Sequence, residues 1–160
     1  MMIPSSLNPP QIFRQTDKRN VQEVPFVELA DGRLQGVVSS GSDIQRVYVA
    51  YFEARSLNFY CSTNNNRPCG GLRGSPCKHL TNLLGEGIKQ FGIEGILKYL
   101  QSAHDPAQIN HLGDFLRIVG HNTNQAHGAI FSRFLGSLQL LEIPLSPMPL
   151  PEMDWFAGGL

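Results

Sequence analysis

The residues best equipped for chemistry are three cysteines and a histidine. Cys61, Cys69 and Cys77 fall within seventeen residues, and His79 follows two positions after the last. Three ionisable thiols and one imidazole make a complete tetrahedral ligand set of the Cys3His type. The residues between them, STNNNRPCGGLRGSP, are rich in Asn, Gly, Ser and Pro, which build turns and not a core. Cysteines without a shared role are generally buried as small hydrophobes, so their concentration in turn-forming sequence points to a metal loop. Inert or redox-active thiols are the alternative. An odd cysteine count argues against a disulfide framework. Zinc is the expected ion, one per chain, because thiolate-rich tetrahedral sites suit it. Four protein ligands close the coordination sphere, so its role is structural and no enzyme is expected. A nucleophilic pair of Cys77 and His79 would need a third orienting group, and the sequence indicates none.

Cys77 and His79 are two apart, a spacing best presented where a loop enters a helix, and a helix N-terminus favours a thiolate. The flanking sequence supplies both elements. Four β-rich runs precede the loop, at 24–29, 33–39, 44–53 and 57–62, with turn chemistry at Asp31-Gly32 and at 40–43. In the third run Val47, Val49 and Tyr51 alternate with Tyr48, Ala50 and Phe52, which predicts a strand covered on both faces.

After the loop the apolar period lengthens to that of a helix. Leu80, Leu83, Leu84 and Ile88 form one stripe, and Ile93, Ile96, Leu97 and Leu100 a second. Glycines 85, 87, 92 and 95 leave one kinked helix or two short ones open. Asp105-Pro106 is expected to open a helix burying Ile109, Leu112, Phe115, Leu116 and Val119. Asn122 or Thr123 is expected to cap a last helix carrying Ala126, Ile130, Phe134, Leu138 and Leu141. The fold class is therefore α+β: an antiparallel β-meander or hairpin leads into a zinc-binding loop and a C-terminal helical subdomain. Residues 1–20 read as an irregular arm, 21–90 as the β and metal-loop unit, 91–142 as a helical extension of the same domain, and 143–160 as a proline-rich tail.

The chain has 160 residues, 41% of them apolar and 16% charged, which suits one folded domain and excludes disorder throughout. Thirteen basic residues balance thirteen acidic ones, so no global field marks a nucleic-acid or membrane binder. No apolar run approaches the ~18 residues that span a bilayer, and the first residues do not read as a secretion signal. The expected location is cytoplasmic.

A strand pair (GRLQGVVSSGSDIQRVYVAYFEARSLNFYCS), a cysteine loop, and Cys77-Lys78-His79-Leu80 opening an aliphatic helix together resemble the SWIM zinc finger. That family's pattern is Cys-x-Cys, a variable loop, then Cys-x-His. The resemblance covers residues 32–88, and its second half matches closely. In the first half one cysteine is missing from its usual place, either at position 63, which is Thr, or at position 59, which is Phe if Cys61 is the second of the pair; Cys69 is the thiol able to replace it. SWIM units occur with DNA-acting ATPases, transposases, recombination factors and MoxR-type AAA+ ATPases with von Willebrand A partners. The resemblance therefore implies a non-enzymatic adaptor whose partner is a protein, with a nucleotide-driven machine as the partner class.

Two further features bear on partners. Arg55, Arg67, Arg73 and Lys78 make the segment around the metal loop locally basic, and the alternative function is a nucleic-acid-binding module using them. A thiol redox sensor is a second alternative. In the tail, Met153, Trp155 and Phe156 offer apolar anchors after an alternation of prolines, suited to docking on a partner or back on the chain's own domain. His104, His111, His121 and His127 are spaced by seven, ten and six, off any common helical face, and read as capping, surface or core residues. Gly70-Gly71-Leu72-Arg73-Gly74 lacks the Lys-Ser/Thr of a phosphate loop and reads as ligand-loop geometry.

Overall fold

The computed structural model describes residues 24–40 and 46–142. The expected N-terminal arm and the tail with Met153, Trp155 and Phe156 lie outside them. The fold is α+β: a four-stranded antiparallel sheet and four α-helices. Strands β1 (Phe26–Ala30), β2 (Arg33–Ser39), β3 (Val47–Glu53) and β4 (Phe59–Thr63) form a meander in sequence order. Asp31 and Gly32 make the β1–β2 turn, with φ of 53° and 72° and Ala30 paired to Arg33. Two successive left-handed residues match the twist of the flanking strands, which is why Asp-Gly serves there.

Alternation along the strands assigns each residue to a face. Leu34, Val38, Ala50, Phe52, Phe59 and Cys61 face one way, against Leu80, Leu83 and Leu84 of helix α1 (Lys78–Phe91). Helices α2 (Ile93–Tyr99) and α3 (Leu112–Ile118) complete that layer through Ile96, Leu97 and Phe115. Helix α1 lies close to β2 because of Gly36. A methyl group there would overlap the carbonyl oxygen of Phe26 and stand 2.7 Å from Leu83 Cδ1.

The opposite face carries Val49, Tyr51 and Tyr60, packed on Ile130 of helix α4 (Gly128–Glu142). Both faces of β3 are thus covered by this chain's own helices. The connection between α3 and α4 passes around the free edge of β4. Phe59 N–H donates to His121 O at 3.0 Å, and Thr123 N–H donates to Phe59 O at 3.0 Å. This short parallel pairing covers backbone groups that an edge strand would expose.

One point left open is decided, and two expectations change. The two aliphatic stripes are separate helices, divided at Gly92 with φ of 74°, a conformation side chains disfavour. Asp105 does cap a turn, its side chain accepting from Ala107 N–H at 2.9 Å, but that turn is a 3-10 helix limited to Pro106–Gln108. A new N-cap, His111, starts α3, with Asp114 accepting from the His111 backbone N–H. Asn122 and Thr123 do not cap α4, because pairing with β4 holds them extended and the Thr123 hydroxyl meets Tyr51 Oη at 2.6 Å. Among the described residues, no helix is long and apolar enough to cross a membrane.

Candidate metal centre

Strand β4 continues into a further short hairpin. Thr63 N–H donates to Arg67 O at 2.8 Å, Asn66 N–H to Thr63 O at 2.9 Å, and Cys69 N–H to Cys61 O at 3.0 Å. With Ser62 bridged antiparallel to Pro68, Cys61 and Cys69 stand directly opposite each other. Opposite residues of an antiparallel pair share a face, so both sulfurs project toward the start of α1. The reversal is made by Asn64–Asn66, with Asn66 left-handed at φ of 63°. Asparagine tolerates that conformation better than other residues with a side chain.

From Cys69 the chain turns through Leu72, whose N–H donates to Cys69 O at 3.1 Å, and arrives at Cys77. Cys77 is the N-cap of α1, and its carbonyl accepts from Thr81 N–H at 3.0 Å as the helix begins. Its sulfur turns to the cluster, with the Leu80 N–H of the first turn on the same side. His79, in the first turn, completes the group.

The four ligand atoms lie within 4.8 Å of one another. His79 Nδ1 stands 3.8 Å from Cys61 Sγ, 3.3 Å from Cys69 Sγ and 3.8 Å from Cys77 Sγ. One ring nitrogen offers one hydrogen or one lone pair, so it cannot hydrogen-bond three sulfurs at once. A tetrahedral ion with bonds of ~2.3 Å to sulfur and ~2.05 Å to nitrogen would place nitrogen and sulfur about 3.6 Å apart. The three separations bracket that value, and the buried Cys3His group could hold a metal ion.

The protons of the cluster are distributed unevenly. The Cys61 thiol donates to the Cys69 and Cys77 sulfurs and is buried, which together hold its pKa far above the ordinary thiol value. That hydrogen bond is also the main cause lowering Cys69 to about 6 and Cys77 to about 4, against the opposing effect of burial. The Gly71 N–H, 3.4 Å from Cys69 Sγ, contributes at Cys69, as does the Leu80 N–H at Cys77. Burial alone would lower His79, but hydrogen bonding to the Cys77 and Cys69 sulfurs outweighs it and raises its pKa. A divalent cation would bind the thiolates and would have to displace the protons held by Cys61 and His79, so binding releases protons.

Two neighbours shape the centre that the spacing of ligands did not reveal. Tyr48 of β3 stacks on the His79 ring, with centroids 3.7 Å apart and planes at 16°. It fixes the plane of the imidazole, as supporting groups around metal-bound histidines do. Gly71 lies against the ligands: a Cβ there would stand 3.1 Å from Cys77 Cβ and 3.7 Å from Cys69 Sγ. By contrast Gly70 has open space around it. Period-two alternation could have found Tyr48, since it shares a face with Ala50, which pairs with Cys61.

The basic residues divide. Arg67, Arg73 and Lys78 are exposed on the metal loop and at the start of α1. Arg55 sits in the β3–β4 turn, at the other end of β4, where its N–H donates to Leu100 O at 2.6 Å and its Nε to Gln101 Oε1 at 3.1 Å. The remaining histidines do not converge on the cluster: His111 pairs with Asp114 at 2.9 Å, and His127 meets the Tyr51 ring edge-on at 4.8 Å.

No family model, curated protein or solved structure matches the chain.

Proposed function

We propose that this chain is a zinc-tied, non-enzymatic adaptor of the SWIM type. The convergence of three sulfurs on one imidazole nitrogen, inside a 4.8 Å cluster, carries the reading. Four protein donors leave no open position for a substrate, which distinguishes a structural ion from a catalytic one. The thiolate-rich set favours zinc among common divalent ions and requires a reducing compartment such as the cytoplasm. The ion joins the β4 hairpin to α1 and orders a loop too polar to order itself. Support for the SWIM assignment is the succession of strand pair, cysteine loop and Cys-x-His at a helix start. Here Cys69 serves from across a hairpin in place of a cysteine at position 63. The partner class that follows is a nucleotide-driven machine, of the MoxR AAA+ or von Willebrand A kind, or a DNA-acting complex.

Elemental analysis of the purified chain is the test. One zinc per chain, lost in both Cys77→Ser and His79→Ala, supports the reading. A folded protein without metal overturns it and leaves a thiol cluster. A pull-down with the zinc-loaded chain then asks for an ATPase partner.

A second reading, binding of a nucleic acid, is favoured by one observation. No carboxylate occurs between Ala54 and Gly85, and Arg67, Arg73 and Lys78 make no ion pair among the described residues. It requires salt-dependent binding to DNA or RNA that Arg67→Glu with Arg73→Glu abolishes. Unchanged affinity sinks it.

A further inference from the structure

The two edges of the sheet differ. Asn122 and its neighbours pair with β4 and close that side, whereas β1 has β2 as its one neighbouring strand. The pairing pattern shows which backbone groups β1 leaves over. Ala54 N–H donates to Gly32 O at 2.8 Å, so the even-numbered residues of β2 bond to β3 and the odd-numbered ones to β1. Opposite those odd positions stand Phe26, Glu28 and Ala30, paired with Val37, Gln35 and Arg33. The N–H and C=O of Val27 and Leu29 therefore point away from β2. Among the described residues, no backbone hydrogen bond outside the sheet ladders reaches either of them.

Natural edge strands are guarded by lysine, proline, a bulge or an inward charge. Strand β1 has an unbroken five-residue register and one charge, Glu28. That charge turns to the α4 side, where Arg133 Nε and Nη2 take both carboxylate oxygens and the Gln35 amide donates as well. Val27 and Leu29 turn to the α1 side, half-buried against its core. The strand thus offers two outward donors and two outward acceptors, and its charge is already neutralised. An antiparallel second copy satisfies all four in one register. With the two-fold axis at Glu28, Val27 lies opposite Leu29 of the second copy, and each such pair exchanges two N–H···O bonds. Symmetry makes two pairs and leaves nothing over. Phe26 then faces Ala30 of the second copy, large against small, and each Glu28 brings its own Arg133. Moving the register by two residues sets Leu29 against Pro25, which has no N–H, or Val27 against the turn at Asp31. Thirteen basic and thirteen acidic residues leave no net charge to hold two copies apart.

We propose that two copies of this chain join edge to edge through β1, so that two four-stranded meanders become one continuous antiparallel sheet. Each candidate metal loop follows β4, so the two loops stand at opposite ends of that sheet. Seven strand spacings of ~4.8 Å separate the two β4 strands, roughly 34 Å along the sheet. A partner that repeats its binding surface at that distance gains the avidity of two contacts. The pairing depends neither on the metal nor on the adaptor reading.

Light scattering on the full chain after gel filtration, with amide exchange followed by NMR, tests it. The expected mass is twice that of one chain. The Val27 and Leu29 amides are protected in the dimer and lose protection on dilution, while the Glu28 amide, bonded to β2, stays protected throughout. Leu29→Pro removes an N–H that β2 does not use. Symmetry makes that two hydrogen bonds, so dimerisation should weaken about 100-fold. A single-chain mass at every concentration overturns the proposal. So does protection of Val27 and Leu29 in the single-chain species, which means that the chain covers its own edge. A dimer with both amides unprotected, or one that Leu29→Pro leaves equally tight, joins through another surface and overturns it too. Should that variant fail to fold, exchange in the unaltered chain decides, since it needs no substitution.

Discussion

Cys61 and Cys69 face each other across a hairpin, the Cys69 N–H donating to the Cys61 carbonyl at 3.0 Å. A ladder position therefore sets the separation of the two sulfurs, and the reversal at Asn64–Asn66 sets the ladder. The left-handed Asn66, at φ of 63°, is the critical residue of that reversal. Asn66→Gly should leave stability and metal affinity near the parent's. Asn66→Val should cost about 1–2 kcal/mol, because a β-branched side chain resists this backbone conformation. Its metal affinity should fall with it. Thermal melts and a chelator competition on the two variants check both expectations. Equal behaviour of Gly and Val would mean that the turn does not hold the register.

Gly71 is the second support of the centre. Its N–H points at Cys69 Sγ, 3.4 Å away, and its missing Cβ leaves room for Cys77 Cβ at 3.1 Å. Gly71→Ala should weaken metal binding by about 10-fold or more, the usual effect of disturbing the groups that orient ligands. Gly70→Ala, one residue away in open space, should bind as the parent does. A chromophoric chelator titration separates the two, and equal affinities would show that the crowding at Gly71 is relieved by the loop.

Much of this architecture was legible in the sequence. The β2 bounds, the Asp31-Gly32 turn, the four candidate ligands and the two aliphatic stripes follow from alternation, turn chemistry and period, while the division of the stripes at Gly92 does not. What escaped are features set by distant partners. Asn122 and Thr123 look like helix caps, yet they serve as a strand because β4 offers Phe59 N–H and C=O at an open edge. Cys69 stands eight residues from Cys61 and not two, and spacing alone does not show that a hairpin sets the two opposite each other. The asparagines before it make the turn, and Gly70 has nothing nearby to relieve. That α4 covers the second face of β3 could not be read from period alone, since both of its sides are apolar.

The stacking of Tyr48 on His79 predicts a graded response. Tyr48→Phe keeps a ring 3.7 Å from the imidazole and should hold metal as tightly as the parent. Tyr48→Ala frees the imidazole to rotate and should lower affinity about 10-fold while leaving stoichiometry at one. Competition titration measures the affinity and elemental analysis the stoichiometry. If Tyr48→Phe loses as much as Tyr48→Ala, the hydroxyl and not the ring is what matters.

Acid stability tests the attachment of α4. Glu28 of β1 accepts from Arg133 of α4 and, at 2.6 Å, from the buried Gln35 amide. The Arg133 hydrogen bond is the main cause lowering the Glu28 pKa from 4.5, against the opposing effect of burial, and the Gln35 bond assists it. A carboxylate with a depressed folded pKa stabilises fully above its unfolded value and loses that contribution as pH falls through the folded one. Because Arg133 is half-exposed, solvent screening keeps the contribution of the pair small. Glu28→Gln should therefore melt a few degrees below the parent at pH 7. The difference should shrink toward zero as both are titrated below 4.5, the ordinary carboxylate value. Comparing the two proteins at each pH cancels whatever acid does to the metal ligands, which they share. A difference that stays constant from pH 7 to 3 would show that the variant's loss comes from the neutral hydrogen bond to Gln35. The ion pair to α4 would then contribute nothing to holding the helix on the sheet.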